Sequence, residues 1–182
     1  LGETIADAIE AVAARRALHA DRHVELRLSV DAPDTLLARL AAAVDGTVEY
    51  DGSNDVGDDD GAHLFVTVAG VDVDAAAAAL DDLVSVSDYR HVASSADGHA
   101  FEVTAPGDSV SSTLARAGGS PQSVVADGDG ALSVVVDVPA SADVREYVDR
   151  LRDEWASVTL VGRRDVERDT RTRDDVVREL FE

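Results

Sequence analysis

The sequence contains no cysteine and no methionine, and it has no lysine among its 182 residues. Without cysteine there is no disulfide, no thiolate metal site and no thiol nucleophile, and a cytoplasmic setting fits. Without methionine, and with Leu1-Gly-Glu-Thr reading like the middle of a helix, the chain is expected to be a piece of a longer protein. The missing lysine leaves arginine to supply all 16 cations against 37 carboxylates, for a net charge of -21. Such a surface repels itself in dilute buffer. In molar salt the Debye length falls to about 3 Å and most of that repulsion is screened, so the composition reads as that of a halophile. The folded state is therefore expected to gain stability as salt rises, and a melting temperature that stays flat up to about 2 M salt would contradict this. A basic stripe is also missing, so no direct nucleic-acid contact is expected from these residues. No apolar run approaches the length of a membrane span and no signal-peptide pattern opens the chain, so no membrane association is expected.

What the sequence does contain is short strand and helix patterns in regular order. Leu132 to Val138 is a β-branched run, broken at Pro139. Val144, Val148, Leu151 and Trp155 then recur at helical spacing with charged residues between them, and Val158 to Val161 returns as a strand. Upstream, His23 to Val30 alternates apolar and polar residues as a half-buried strand does. Asp31-Ala-Pro-Asp34 reads as the cap of a helix carrying Leu36, Leu37, Leu40 and Val44, closed by Gly46. Thr47 to Tyr50 and Ala62 to Val68 read as strands joined by an acidic connection. A helix over about Asp72 to Leu83, with Val84 on its core side, leads to a strand over Val86 to Ser94. Gly98 to Thr104, Val110 to Ala117 and Gln122 to Ala126 continue as strand, helix and strand, and Asp127-Gly-Asp-Gly130 reads as a hairpin turn in which two glycines supply positive φ.

The resulting order is β-α-β-β-α-β written twice. The expected fold is α/β (α+β), with two tandem ferredoxin-like βαββαβ units behind an N-terminal linker helix. The units are placed at residues 23–95 and 98–169, with the linker helix at 1–22 and the start of another helix at 170–182. Two small sandwiches or one fused eight-stranded sheet would both satisfy this order. Residues 163–172 read as a charged stretch outside any strand. The first helix carries an apolar seam of Leu1, Ile5, Ala8, Ile9 and Val12 with no partner in its own length. It is expected to pair with the same helix of a second chain as a homodimer, or to fold back onto its own domain.

Candidate chemistry is sparse, and no catalytic residue is named. Asp51-Gly-Ser-Asn-Asp55 begins like a calcium loop, but Val56 stands where the turn glycine belongs and Ala62 where a bidentate glutamate would sit, so a solvated acidic loop is the plainer reading. His19 and His23 are four apart, but strand alternation has begun by His23 and no third ligand lies near, so no metal site is expected. His63, His91 and His99 read as ordinary half-exposed strand residues. No cofactor is implied. Ferredoxin-like architecture also admits, by analogy of fold alone, an ACT-like ligand site at a glycine-bearing βα turn. Ala105-Pro-Gly-Asp108 and Ala69-Gly-Val-Asp72 qualify, making Gly107, Asp108, Gly70 and Asp72 the candidate ligand-binding residues beside the plainer reading of a tight turn and helix cap.

Three stretches together resemble one family. Leu1 to Val12 with Arg15-Arg16-Ala-Leu18 resembles the closing helix of a GAF domain in haloarchaeal bacterio-opsin activator-like regulators. Val24-Glu-Leu26 resembles the first strand of the domain that follows it there, and Arg173 to Glu182 resembles the approach to their C-terminal helix-turn-helix. The resemblance implies a non-enzymatic regulatory domain between sensor (PAS, GAF) and DNA-binding domains, with those domains as its partners. The alternative is that the domain is itself the ACT-like small-molecule sensor.

Overall fold

The computed structural model describes residues 22–54, 62–105 and 110–167. The elements follow the expected order: β1 (Arg22–Asp31), α1 (Leu36–Val44), β2 (Thr47–Asn54), β3 (Ala62–Ala69), α2 (Val73–Asp82), β4 (Asp88–Ser94), β5 (His99–Ala105), α3 (Val110–Arg116), β6 (Ser120–Ala126), β7 (Ala131–Pro139), α4 (Val144–Glu154) and β8 (Ser157–Glu167). The N-terminal seam and residues 168–182 lie outside the described residues.

All eight strands of the described residues join one sheet in the order β4-β5-β3-β2-β6-β7-β1-β8, and every neighbouring pair is antiparallel. The chain does not fill this sheet from one side to the other. β1 lies between β7 and β8, and β5 lies between β3 and β4. Replacing every strand by the one four positions away reproduces the same order reversed, so β2 and β6 meet at the centre of a two-fold repetition. We call β4-β5-β3-β2 the β4-side half and β6-β7-β1-β8 the β8-side half.

Alternation decides which face is buried. Val24, Leu26, Leu28 and Val30 of β1 stand opposite Val138, Val136, Val134 and Leu132 of β7, and all eight are buried. Across the centre Val48 meets Ala126 and Val68, and beyond them Val66 meets Phe101. The four described helices press Leu37, Leu40, Leu80, Leu114, Val148 and Leu151 into this same core, so they cover one face of the sheet. The opposite face carries Glu25 paired with Arg27, and Thr67 donating to Asp51, which suits an antiparallel sheet with one wet side.

Several boundaries differ from the sequence reading. Thr35, not the Asp31–Asp34 segment, caps α1, its hydroxyl accepting from the Ala38 amide, and Asp45 in the left-handed region ends it. Gly46 is needed for another reason, since a Cβ there would meet the Ala69 carbonyl oxygen. Helix α2 stops at Asp82 and Leu83 turns extended, so Val84 falls off the helical face and is fully exposed. Only Gly130 of the β6–β7 turn has positive φ (82°); Gly128 does not. β8 runs to Glu167, through residues read as a charged stretch, because an edge strand can put charged side chains into water on both faces and still pair with β1. No described helix is long and apolar enough to cross a membrane.

Candidate functional site

Where β3 turns into α2, the chain passes the tip of the β4–β5 hairpin, and the two turns enclose an open cleft of about 530 Å³. Two of the four expected ligand residues, Gly70 and Asp72, line it. Gly70 holds φ 92°, a left-handed conformation that glycine adopts without cost. Asp72 caps α2, its Oδ1 accepting from the Ala75 amide at 2.8 Å, so its carboxylate is already engaged. Gly107 and Asp108 lie outside the described residues.

The hairpin supplies the other wall. Ser95 donates its amide to the Gly98 carbonyl at 2.9 Å, and Asp97 donates its amide to Ser95 Oγ at 3.2 Å. A Cβ on Gly98 would fall 2.5 Å from the Val68 carbonyl oxygen, so the hairpin can lie this close to β3 only with glycine there. This closeness sets His99 at the mouth of the cleft. His99 Nδ1 is 2.8 Å from Ser94 Oγ, and the same hydroxyl is 3.0 Å from His91 Nε2. The His91 ring rests near Phe101, with ring centroids 5.3 Å apart. Sequence reading left His91 and His99 as separate strand residues. They flank the hairpin turn Ser95–Gly98, and the register that pairs Ser94 with His99 and His91 with Phe101, set by an irregularity between His91 and Ala93, makes them diagonal neighbours.

On the other face of the same strands, Glu102 receives Arg90 in an ion pair and stands 3.5 Å from His63 Nδ1. Hydrogen bonding from Arg90 holds the Glu102 carboxyl below its ordinary range. In the β8-side half a smaller cleft of about 250 Å³ lies beside Arg22, His23 and Asp165. His23 Nδ1 is buried there with no partner among the described residues. His19, its expected neighbour, lies outside them. Asp51 of the calcium-like segment belongs to β2, and the rest of that segment from Asp55 is outside the description. No group of three or more histidine and carboxylate side chains that could hold a metal occurs among the described residues.

Residues 21–178 match the family described as BAT: GAF and HTH_10 associated domain. The chain belongs to the BAT family. A Haloferax volcanii protein described as a "Putative transcriptional regulator" is 34% identical over 181 residues, covering 99% of this chain. The BAT chain spans 30% of that relative's length. No solved structure matches it.

Proposed function

We propose that this BAT domain is a non-enzymatic relay of a haloarchaeal transcription regulator, carrying a signal from GAF-side sensor domains to a DNA-binding end. What supports a regulatory role is the family, defined by its association with GAF and HTH_10 domains, and the relative described as a regulator. The observation that carries the relay reading is the pairing of Arg22 with Glu167 at the end of the β1–β8 ladder. The segment coming from the GAF side and the segment leading toward a helix-turn-helix therefore leave the sheet side by side. A displacement applied at residue 22 acts on β1, which is hydrogen-bonded directly to β8, and does not need to cross the β4-side half. On this reading each half of the sheet is one ferredoxin-like unit, with the first strands β1 and β5 exchanged between the two.

The same reading makes the apolar seam of residues 1–20 a homodimer contact, so that two incoming helices and two outgoing segments gather at one place. In the full-length regulator, replacing residues 22–167 by a flexible linker is expected to preserve DNA binding and abolish the response to the upstream signal. A response that survives would overturn the relay. Light scattering in molar salt tests the dimer: Ile5→Asp with Ile9→Asp is expected to halve the mass. The ACT-like alternative draws on the cleft at Gly70 and Asp72. It requires a carboxylate-bearing metabolite to raise the melting temperature, an effect that the relay does not need.

A further inference from the structure

We propose that His91 and His99 form a two-imidazole binding site for a divalent first-row transition metal, with Cu²⁺ the best fit, at the rim of the β4–β5 hairpin. The inference is independent of the relay reading. It starts from a convergence: one nitrogen of each ring is within hydrogen-bond distance of the same oxygen, Ser94 Oγ, at 3.0 and 2.8 Å. A serine hydroxyl donates one proton, so with both rings neutral one ring donates to Ser94 and the other accepts from it. Both rings are thus aimed at one point, and their nitrogens lie within two hydrogen-bond lengths of each other. The ring centroids are 6.2 Å apart and tilted by 58°, which leaves a gap between the rings and no stacking.

A metal ion that takes the place of the hydroxyl hydrogen bonds would receive a lone pair from each imidazole. Small rotations of two side chains on an exposed edge strand suffice for this, since His91 is exposed and His99 half-exposed. Phe101 behind His91 limits how far that ring can swing away. Ser94 then either turns aside or stays as a weak oxygen donor. The adjoining cleft leaves room for water or an anion in the remaining positions. Imidazole suits copper, nickel and zinc, and among divalent ions of the first row affinity for such a site peaks at Cu²⁺. The many surface carboxylates attract divalent ions of every kind, but they are hard oxygen donors for which Mg²⁺ competes. A nitrogen-ligated site is distinguished by binding that excess Mg²⁺ in molar potassium chloride does not displace.

The test is Cu²⁺ titration of the 182-residue chain in molar potassium chloride with excess Mg²⁺, read by calorimetry and by electron paramagnetic resonance. Wild type is expected to bind one Cu²⁺ with nitrogen hyperfine structure from two equivalent rings. His91→Ala and His99→Ala are each expected to weaken binding at least tenfold, while His63→Ala, on the opposite sheet face, leaves it unchanged. Both positions lie on the sheet's edge hairpin, and circular dichroism checks that each variant folds; His91→Gln and His99→Gln replace any alanine variant that does not. The proposal is overturned if either variant binds Cu²⁺ as tightly as wild type, if only one ring contributes to the spectrum, or if Mg²⁺ displaces the copper.

Discussion

The two halves of the sheet share one strand order but are built from different material. In the β8-side half, β1 and β7 pair without interruption through nine residue pairs, and on the helix-covered face their buried positions are all valine or leucine, with Asp137 the buried residue of β7 on the other face. In the β4-side half the ladders are shorter, the core row includes Phe101, and Tyr89, His91 and His99 extend it toward the edge. Three of the histidines in the described residues, His63, His91 and His99, belong to the β4-side half, against His23 in the other. A long aliphatic ladder is stiff and chemically inert, which suits the half to which both chain ends attach. The polar, hairpin-bearing half has the groups that can bind something. On the relay reading, the two-fold repeated topology separates mechanical continuity from chemistry.

Damage to the aliphatic ladder is expected to have the largest effect on stability. Leu26 is fully buried between β7 and β8, so Leu26→Ala removes a packed side chain and leaves a cavity. It is expected to cost about 2–5 kcal/mol in denaturant unfolding in molar salt. Leu160, on the adjoining edge strand opposite Leu28, is 41% exposed, and Leu160→Ala is expected to cost less than about 1 kcal/mol. Equal losses at the two positions would mean that the ladder's centre is not where stability resides.

The β4-side hairpin is held by a close approach to β3 that a second pair of variants tests. Gly98 (φ 144°) and Gly118 (φ 105°) both hold backbone conformations that disfavour side chains, but a Cβ at Gly98 would also strike the Val68 carbonyl while one at Gly118 meets nothing within 4 Å. Gly118→Ala is expected to cost about 1–3 kcal/mol from strain alone. Gly98→Ala is expected to cost more and to shift the amide signals of β4 and β5 in nuclear magnetic resonance spectra, because the hairpin must move off β3.

Much of this architecture could be read from residue order, and the reasons for the exceptions are physical. Alternation at Val24 to Val30 and helical spacing at Val144 to Leu151 identify their elements because each buries one side. Pairing across the sheet is different. Nothing local in Val24 to Val30 states that it will lie between β7 and β8, since any aliphatic strand would accept it. Edge strands are hard to read for the opposite reason: β8 has little burial to enforce a pattern, so Arg163 to Asp165 look like a loop. Gly70 and Asp72 were legible as a βα turn, and the structure sets them on a cleft. The His91–Ser94–His99 convergence was not, because it depends on a hairpin register with an irregularity between His91 and Ala93.

A smaller effect tests a contact between helices. Tyr147 of α4 is buried and its hydroxyl donates to the Leu114 carbonyl of α3 at 3.3 Å, and burial pushes its pKa well above the ordinary tyrosine range. Tyr147→Phe keeps the ring and removes that bond. It is expected to cost about 1 kcal/mol, and thermal melting of the pair of proteins measures it. A much larger loss would show that the bond holds α3 and α4 in place, beyond its own modest contribution.

The smallest expected effect concerns the open face of the β4-side half and depends on pH. Glu102 is held below its ordinary pKa chiefly by its hydrogen bond with Arg90, with His63 adding to the shift and partial desolvation opposing it. A carboxyl whose folded pKa is depressed contributes stability that is fully present above its unfolded pKa and is lost as pH falls through the folded one. Glu102→Gln removes that contribution. The stability difference between wild type and Glu102→Gln is therefore expected to be constant near neutral pH and to shrink as pH falls below the ordinary carboxylate range. Because Arg90 is 74% exposed, water and salt screen the pair, and the difference is expected to be small in molar salt and larger when salt is lowered. The corresponding Glu25–Arg27 pair on the other half lies within one strand, so Glu25→Gln separates no two strands and is expected to cost less than Glu102→Gln at neutral pH. A loss as large at Glu25 as at Glu102 would remove this distinction between the two open faces.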